Sequence, residues 1–507
     1  MTRSTSERAA IAAIALLFLV PLLYPPIPPL GDVPGHIGRF MVAADLGSDP
    51  FLARFYSYQW RPIGNLGVDL PVALLAPLIG VEAAAKWVIA AIPPLMSTAL
   101  LLTYRRLHGR LAAPAFLATC FVLSMPFNSG FVNFWIGMAV GWLVVWVSES
   151  LDSSKWRAIV LLFAGALTWS MHVLAWLLVA AILAGLELGK TRKLSWDAVR
   201  SWIRRLWPFV AVPIVMQSYW MLVYGTSGVN AGWFEIRDKI SAIIRSIQFQ
   251  DRHLSLALMA AILLVAVASI ARGARLSLGM AWATVFVGAI FVVVPHVLMQ
   301  SWAADQRIAP VVLMTALIAI APRRPIAILE VTAAVLMVAT VGLATFAYAG
   351  ISDRLTTFLT IGKAIPSHSR LSYFYVQDCD PYKEKYDPRQ HAASLFIGRN
   401  RVFTGQWNVG GASLMTVHYP AAGDFQDLGR VMVRPDRCAT RSLPSIDQTL
   451  DDLPADAFDY VIIDQGGVIG VTPVTSVGGA NLYTVASLKA RPNIATTSTP
   501  SPTPHGN

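Results

Sequence analysis

Asp32 and His36 are the residues of this chain whose types and spacing point most directly to chemistry. They follow the uncharged apolar run Ala9–Leu30, and a helix needs about 20 such residues to cross the hydrocarbon core of a membrane. The run closes in the proline-rich stretch Pro25–Pro29, which lacks the amide hydrogens that continue a helix. Asp32 is therefore expected at the membrane surface. A carboxylate there, with an imidazole four residues on, suits proton transfer involving a lipid-borne substrate.

Asp32 also has a structural interpretation, because it would be an N-cap for a helix reading Ile37–Leu46. The two roles are compatible. On one helix, Asp32 and His36 would share a face, although Pro34 and Gly35 lie between them.

Other ionisable residues are expected at the same membrane surface. Such groups are costly beside a bilayer unless a pathway or a site uses them, although polar helix ends are the ordinary explanation for any single one. Arg307 begins an apolar span, where its guanidinium would either hold a phosphate bidentately or anchor the helix at the interface. The candidate residues for binding substrate or carrier phosphate are Arg39, His172, His253, His296, Asp305, Gln306 and Arg307.

The long first loop, 31–69, is rich in aromatic residues. They would either stack on sugar faces or form an interfacial belt, and the belt is favoured for most of them. These residues are Phe51, Phe55, Tyr56, Tyr58 and Trp60. The apolar piece Leu70–Leu78 that follows is too short to cross a membrane and is expected at its surface.

Composition places the chain among multi-span membrane proteins. Of its 507 residues, 55% are hydrophobic and only 14% are charged, with a mean hydropathy of +0.55, whereas soluble domains are roughly a quarter charged. The net charge of +11 lies mostly in short loops, where it sets topology, so no nucleic-acid partner is expected. The three cysteines show no metal-ligand spacing.

Hydropathy predicts a polytopic α-helical membrane protein with about eleven transmembrane helices. The predicted spans are 9–30, 83–104, 111–126, 131–148, 157–171, 172–188, 206–223, 254–271, 277–295, 306–321 and 326–349. Basic residues concentrate in short segments such as Arg105–Arg110 and Lys190–Arg205, which places the N-terminus in the cytoplasm. An odd number of spans then places residues 350–507 outside the cytoplasm, and the expected location of the chain is the inner (plasma) membrane.

The C-terminal region is polar and predicts a small extracytoplasmic α/β domain over 350–490, followed by a disordered tail over 491–507. Ser445 is expected to cap a helix that ends before Pro454. Short strands are predicted at 401–403, 431–433, 459–464 and 482–485. Cys379 and Cys438 both lie in this region, and in an oxidising compartment we expect them to form a disulfide.

The layout resembles the GT-C superfamily of integral-membrane glycosyltransferases, over about the first 350 residues. The passages that carry the resemblance are Asp32, the first loop Asp32–Asp69, Gly80–Arg106 with Tyr104–Gly109 at its end, Asn128–Gly137, Ser170–His172 and Asp305–Pro310. The resemblance implies an inverting hexosyltransferase that moves a sugar from a polyprenyl-phosphate donor to a glycan, lipid or protein of the cell envelope. It assigns the catalytic base to Asp32 and contact with the carrier phosphate to Arg307.

The chain departs from the family at one position. Many members have Asp-Glu in the first loop, whereas Val33 follows Asp32 here. Either Asp32 or His36 could therefore be the acid–base residue. Whether a divalent cation is required as a cofactor is also left open. The alternatives are a transporter or flippase for lipid-linked sugars and a non-catalytic envelope assembly protein. Convergence of Asp32, His172 and Arg307 in one cleft would favour the enzyme.

Overall fold

The computed structural model describes residues 3–191, 195–225, 228–249, 251–377, 387–406, 413–426, 431–434 and 443–491, and most of them are helical. The helices of the first part of the chain are α1 Arg3–Leu19, α2 Val33–Asp45, α3 Asp69–Ile79, α4 Val81–Ala90, α5 Ile92–His108, α6 Ala113–Thr119, α7 Met125–Asn128 and α8 Val132–Ser150. Those that follow are α9 Ser154–Met171, α10 Val173–Gly189, α11 Trp196–Tyr224, α12 Ile236–Ile244, α13 Arg252–Ala271, α14 Leu278–Val293, α15 Ala304–Ala319 and α16 Ala327–Leu359.

Several of these helices indicate a membrane protein. Within the described residues, five are long and apolar enough to cross a bilayer by length and composition. They are Val81–His108, Val132–Ser150, Val199–Tyr224, Arg252–Ala271 and Ala327–Ala364. Shorter apolar helices include α3, α10 and α14.

Each predicted span overlaps a helix, but some of the ends differ. The first helix ends at Leu19 and continues only as a 3-10 turn over Val20–Leu22, because Pro21 and the prolines after it withhold backbone donors. The predicted span 111–126 is interrupted between α6 and α7 by a 3-10 turn over Cys120–Leu123. The last long helix continues past residue 349 to Leu359. The number of crossings stays a prediction.

Small residues let some helices approach closely. A Cβ added to Gly185 of α10 would lie 2.2 Å from the backbone nitrogen of Ala283 in α14. Close backbone approach of this kind is a usual way to pack helices in a membrane, where lipid removes the hydrophobic drive for association. Apolar side chains on the outward faces stay exposed, as expected for helices that contact lipid. Examples are Leu264 (70% exposed), Phe163 (71%) and Phe346 (84%).

A six-stranded sheet follows α16. Its central strand, β4 (Arg370–Val376), is buried along nearly its whole length and pairs in parallel with the three strands β5, β7 and β8. These are Phe403–Thr404, Val431–Val433 and Tyr460–Asp464. The strands β9 (Thr475–Val477) and β10 (Ala480–Thr484) extend the β8 edge in antiparallel pairing. We call the described residues from Arg370 to Arg491 the sheet domain; its short helices are α17 Leu395–Asn400, α18 Ile446–Asp452 and α19 Val485–Lys489.

The first loop is bound to the sheet domain. Its strand β1 (Tyr56–Tyr58) pairs antiparallel with β6 (Met415–Val417), while the side chains of Phe51, Phe55 and Tyr56 are buried in a shared hydrophobic cluster. The Phe55 ring lies 4.7 Å from that of Phe403, centroid to centroid. Neither the sugar-stacking nor the belt interpretation holds for these three buried residues, whereas Trp60 is half exposed.

Helix α18 confirms the capping prediction, because Ser445 and Gln448 form a reciprocal capping box at its start. The short piece predicted at the membrane surface is the helix α3, with Leu74 and Leu78 more than three-quarters exposed. Cys379, Cys438 and the tail from residue 492 lie outside the described residues, so their expected disulfide and the disorder of the tail stay predictions.

Candidate functional site

The backbone before α2 is held against the turn that follows α7. The amide of Gly31 donates to the carbonyl of Asn128 (3.0 Å), and the amide of Asp32 donates to that of Ser129 (2.9 Å). Asp32 stands at the N-cap of α2, as its structural interpretation predicted, but its side chain makes no capping hydrogen bond and the helix starts earlier than expected, at Val33. Proline is well tolerated in a first turn, so Pro34 does not delay the helix. The carboxylate of Asp32 is thus not engaged in capping.

Gly130 sets how closely these two segments approach. It adopts a φ of +84°, and a Cβ added there would lie 2.5 Å from the amide nitrogen of Asp32. Any larger residue would be strained by the backbone angle and would also push Asp32 away from its position.

We expect Gly130→Ala to destabilise the fold more than Gly109→Ala does. Gly109 also has a positive φ, +75°, but an added Cβ there meets nothing within 4 Å, so both variants share the cost of the backbone angle. The steric contact with Asp32 should cost Gly130→Ala roughly 1–3 kcal/mol more. Unfolding of both purified proteins in one detergent measures the difference. Equal losses would contradict the close approach.

Arg307 lies in the first turn of α15 and faces the turn that follows α7. Its Nη2 donates to the carbonyl of Trp302 (3.1 Å) and its guanidinium lies 3.9 Å from the ring centroid of Phe131. The Nε of Arg307 is buried and makes no hydrogen bond within the described part of the chain. The charge of Asp32 is near enough to act on this guanidinium. A cation fixed in this way is suited to hold an anion in a defined orientation.

His172 places a second hydrogen-bond donor next to Arg307. Its Nδ1 accepts a hydrogen bond from the amide of Leu174 at the start of α10 (3.1 Å), so the proton of the neutral ring lies on Nε2. That Nε2 is 3.5 Å from Nη1 of Arg307. Two N–H groups therefore point toward each other, and an oxygen with several lone pairs, such as a phosphate oxygen, would satisfy both.

His36 is neutral and bridges two parts of the site. Its Nδ1 lies 3.2 Å from Nη2 of Arg39, and because a guanidinium only donates, this nitrogen is the acceptor. The ring bonds as well to the backbone of Gly130. Burial, followed by the charge of Arg39, lowers the pKa of His36 to about 3. Such a ring is a weak base, which favours a positioning role for His36 over the expected role as a base.

Arg39 is committed to a structural ion pair. Its Nη2 lies 2.7 Å from Oδ1 of Asp69, a carboxylate that is 1% exposed. Asn133 donates to the other oxygen of Asp69 (3.0 Å) and also, through its Oδ1, accepts from the amide of Val68 (2.6 Å). The arrangement joins α2, α3 and α8, and it fixes the guanidinium that donates to His36. It favours a positioning role for Arg39 over the expected contact with phosphate.

Asp305 organises a second cluster beside Arg307. It is buried. Its carboxylate accepts hydrogen bonds from Nδ1 of His296 (3.0 Å) and from the amide of Gln306 (2.8 Å), and it forms an ion pair with Nζ of Lys239 (3.1 Å). These contacts connect α12 and the segment after α14 to the start of α15. His253 is exposed, and within the described residues no hydrogen bond or ion pair links it to either cluster.

The sheet domain contributes a residue that sequence reasoning missed. Nε2 of His391 lies 3.7 Å from Oδ1 of Asp32, and the histidine side chain is 7% exposed. It belongs to the 3-10 turn Pro388–Ser394, which packs on α2. No motif links two residues so distant in sequence, and only the docking of the sheet domain brings them together.

A buried network fixes the turn that carries His391. Arg389 forms a bidentate ion pair with Asp464 at the end of β8, and the Tyr373 hydroxyl lies 2.8 Å from the same carboxylate. The arginine and the carboxylate are 7% and 0% exposed. Removing one partner of such a pair leaves an uncompensated buried charge. The position of His391 therefore depends on the core of the sheet domain.

Searches against protein-family models, curated proteins and solved structures find no match for this chain. Among the residues that the structure describes, no group of three or more histidine, cysteine, aspartate or glutamate side chains is placed to hold a metal ion.

Proposed function

We propose that this chain is a membrane glycosyltransferase that moves a sugar from a polyprenyl-phosphate donor to an acceptor of the cell envelope. The observation that supports it best is the convergence of Asp32, His172 and Arg307, three residues from separate parts of the chain. The charge of the Asp32 carboxylate acts on the Arg307 guanidinium, and Nε2 of His172 lies 3.5 Å from Nη1 of the same guanidinium. That is the set of groups which transfer of a sugar from phosphate to a hydroxyl requires.

The proposed reaction divides between these residues. Asp32 removes the proton from the acceptor hydroxyl while its oxygen attacks the anomeric carbon of the sugar. The bond from that carbon to the phosphate oxygen breaks, and the polyprenyl phosphate leaves with the bonding electrons. Arg307 and the Nε2–H of His172 hold the phosphate as negative charge develops on it. Attack opposite the leaving phosphate inverts the anomeric configuration.

The proposal includes the topology that such a reaction needs. With eleven spans and a cytoplasmic N-terminus, the site and the sheet domain both lie on the extracytoplasmic face. The carrier tail then stays in lipid while its phosphate reaches Arg307 at the surface. The sheet domain covers Asp32 from the aqueous side, where His391 contacts it.

The placement of buried charge favours a transporter less than it favours a glycosyltransferase. Transport pathways usually carry ionisable residues near the middle of several spans. The buried Glu187 lies instead in the last turn of α10, in ion pairs with Arg157, Lys190 and Arg205. This network accounts for the buried carboxylate as a structural one.

The test is transfer by the purified, full-length protein from a panel of radiolabelled polyprenyl-phosphate sugars to cell-envelope acceptors. We expect labelled acceptor and free polyprenyl phosphate in equal amounts. In parallel, the protein is placed in vesicles that carry the same lipid-linked sugars on one leaflet. Movement of these lipids to the other leaflet without any transfer would identify a transporter instead. If neither transfer nor movement is observed, the remaining hypothesis is the non-catalytic assembly function.

A further inference from the structure

A cavity of about 530 Å³ lies at the far end of the helical region from Arg307. α15 has 16 residues and runs from the candidate site toward it, so the two are about 24 Å apart along the helix. The cavity is bounded by the end of α13, the start of α16 and the loop that joins α15 to α16. Nothing in the proposed transfer reaction uses it.

The lining of this cavity is strongly basic. Arg272, Arg323 and Arg324 surround it with only Glu330 opposing them. Within the described residues, none of the three arginines forms an ion pair, whereas Arg105 pairs with Glu7 elsewhere in the helical region. Three unpaired guanidinium groups around one cavity favour a ligand that supplies negative charge.

Two connections, one between backbone strands and one from a side chain, hold the cavity in shape. The short strands β2 (Arg275–Leu276) and β3 (Ile320–Ala321) pair with each other, which ties the loop after α13 to the loop after α15. Arg110 donates to the carbonyl of Pro322 (2.9 Å). Pro322 and Pro325 further restrict the arginine-bearing loop between them.

The two helices that bound the cavity also carry exposed apolar side chains on other faces. On α13, Leu264 and Val267 are 70% and 61% exposed; on α16, Ile328 and Val331 are 71% and 63% exposed. α13 and α16 are both among the helices long and apolar enough to cross a membrane. The cavity therefore lies where two lipid-facing helices end, at the level of lipid head groups.

From this combination we infer that the cavity binds the phosphate head group of an anionic phospholipid, with its acyl chains lying along α13 and α16. Arg272, Arg323 and Arg324 contact the phosphate, while the exposed apolar residues of both helices contact the chains. Arginine near a membrane surface attracts anionic lipid electrostatically. The inference is independent of the proposed glycosyl transfer, because the site lies at the opposite end of α15.

The test is native mass spectrometry of the full-length protein in detergent, with phosphatidylglycerol and phosphatidylcholine offered together. We expect phosphatidylglycerol to bind about tenfold more tightly or better, and the triple variant Arg272→Gln/Arg323→Gln/Arg324→Gln to lose this preference. Glycerol phosphate, which has the charge but no chains, should compete poorly. Efficient competition would overturn the assignment to a lipid and identify a site for free phosphate.

The chain offers a matched control in Arg275. It is an exposed arginine in the adjoining strand that does not line the cavity, so Arg275→Gln should keep the preference. Glu330→Gln removes the opposing charge, should strengthen binding, and keeps the test decisive if the triple variant fails to fold. Equal loss in Arg275→Gln, an unchanged preference in the folded triple variant, or no gain in Glu330→Gln would overturn the inference.

Discussion

Asp32→Asn is expected to lower the turnover of sugar transfer about 100-fold or more, which is the scale of a lost general base. The asparagine keeps the shape of the side chain, and no capping hydrogen bond is lost because Asp32 makes none. Donor binding should change little, so the loss should appear in kcat rather than in KM. Steady-state transfer by the purified variant and wild-type proteins measures both constants.

Asp45→Asn is the matched control, because Asp45 lies at the other end of the same helix and pairs with Arg401 outside the site. It should retain most of the activity. Near-normal transfer by Asp32→Asn would contradict the assignment of the base to Asp32. A smaller loss is expected for His391→Asn, because His391 acts on the acceptor only through Asp32. Its effect should be a changed pH profile.

This comparison separates a residue that reacts from residues that position it. His36, through its bonds to Arg39 and Gly130, and His391, through the sheet domain, both act on where Asp32 lies and what charge surrounds it. Their variants should therefore be partly restored by conservative replacement, while Asp32→Asn should not. The same logic makes the sheet domain part of the site, because the buried Arg389–Asp464 pair fixes the turn on which His391 stands.

Much of the helical region was predictable because its signals are local. Runs of apolar residues located every helix that was assigned as a span, and Ser445 was recognised as a helix cap from its residue type at a helix start. The sequence predicted only that Asp32, His172 and Arg307 lie on one side of a membrane, and it left open whether they converge.

What the sequence did not predict depends on contacts distant in the chain. β4 was missed, because its buried run Arg370–Val376 shows no alternation of polar and apolar residues and is defined by pairing with three other strands. The burial of Phe51 and Phe55 requires the sheet domain to cover the first loop. His391 was missed for the same reason. Local sequence specifies elements well, but the docking of the sheet domain on the first loop is a property of the folded chain.

Arg307→Ala is expected to lower kcat/KM for the lipid-linked donor about 100- to 1,000-fold, because it removes a fixed cation from the developing phosphate charge. Both KM and kcat should suffer, since the phosphate is present in the bound donor and becomes more negative as it leaves. Arg307→Lys keeps a charge but loses the planar fork that rests on Phe131, so it should recover only part of the loss.

Arg354→Ala removes an exposed arginine from α16 and controls for a general loss of positive charge; it should stay close to wild type. A second readout separates binding from chemistry. Polyprenyl phosphate, the expected product, should inhibit the wild-type protein and inhibit Arg307→Ala far less. Equal inhibition of both proteins would show that Arg307 does not hold the phosphate. The facing N–H groups of His172 and Arg307 would then require another hydrogen-bond acceptor. The substrate that accepts the sugar would be the first to test.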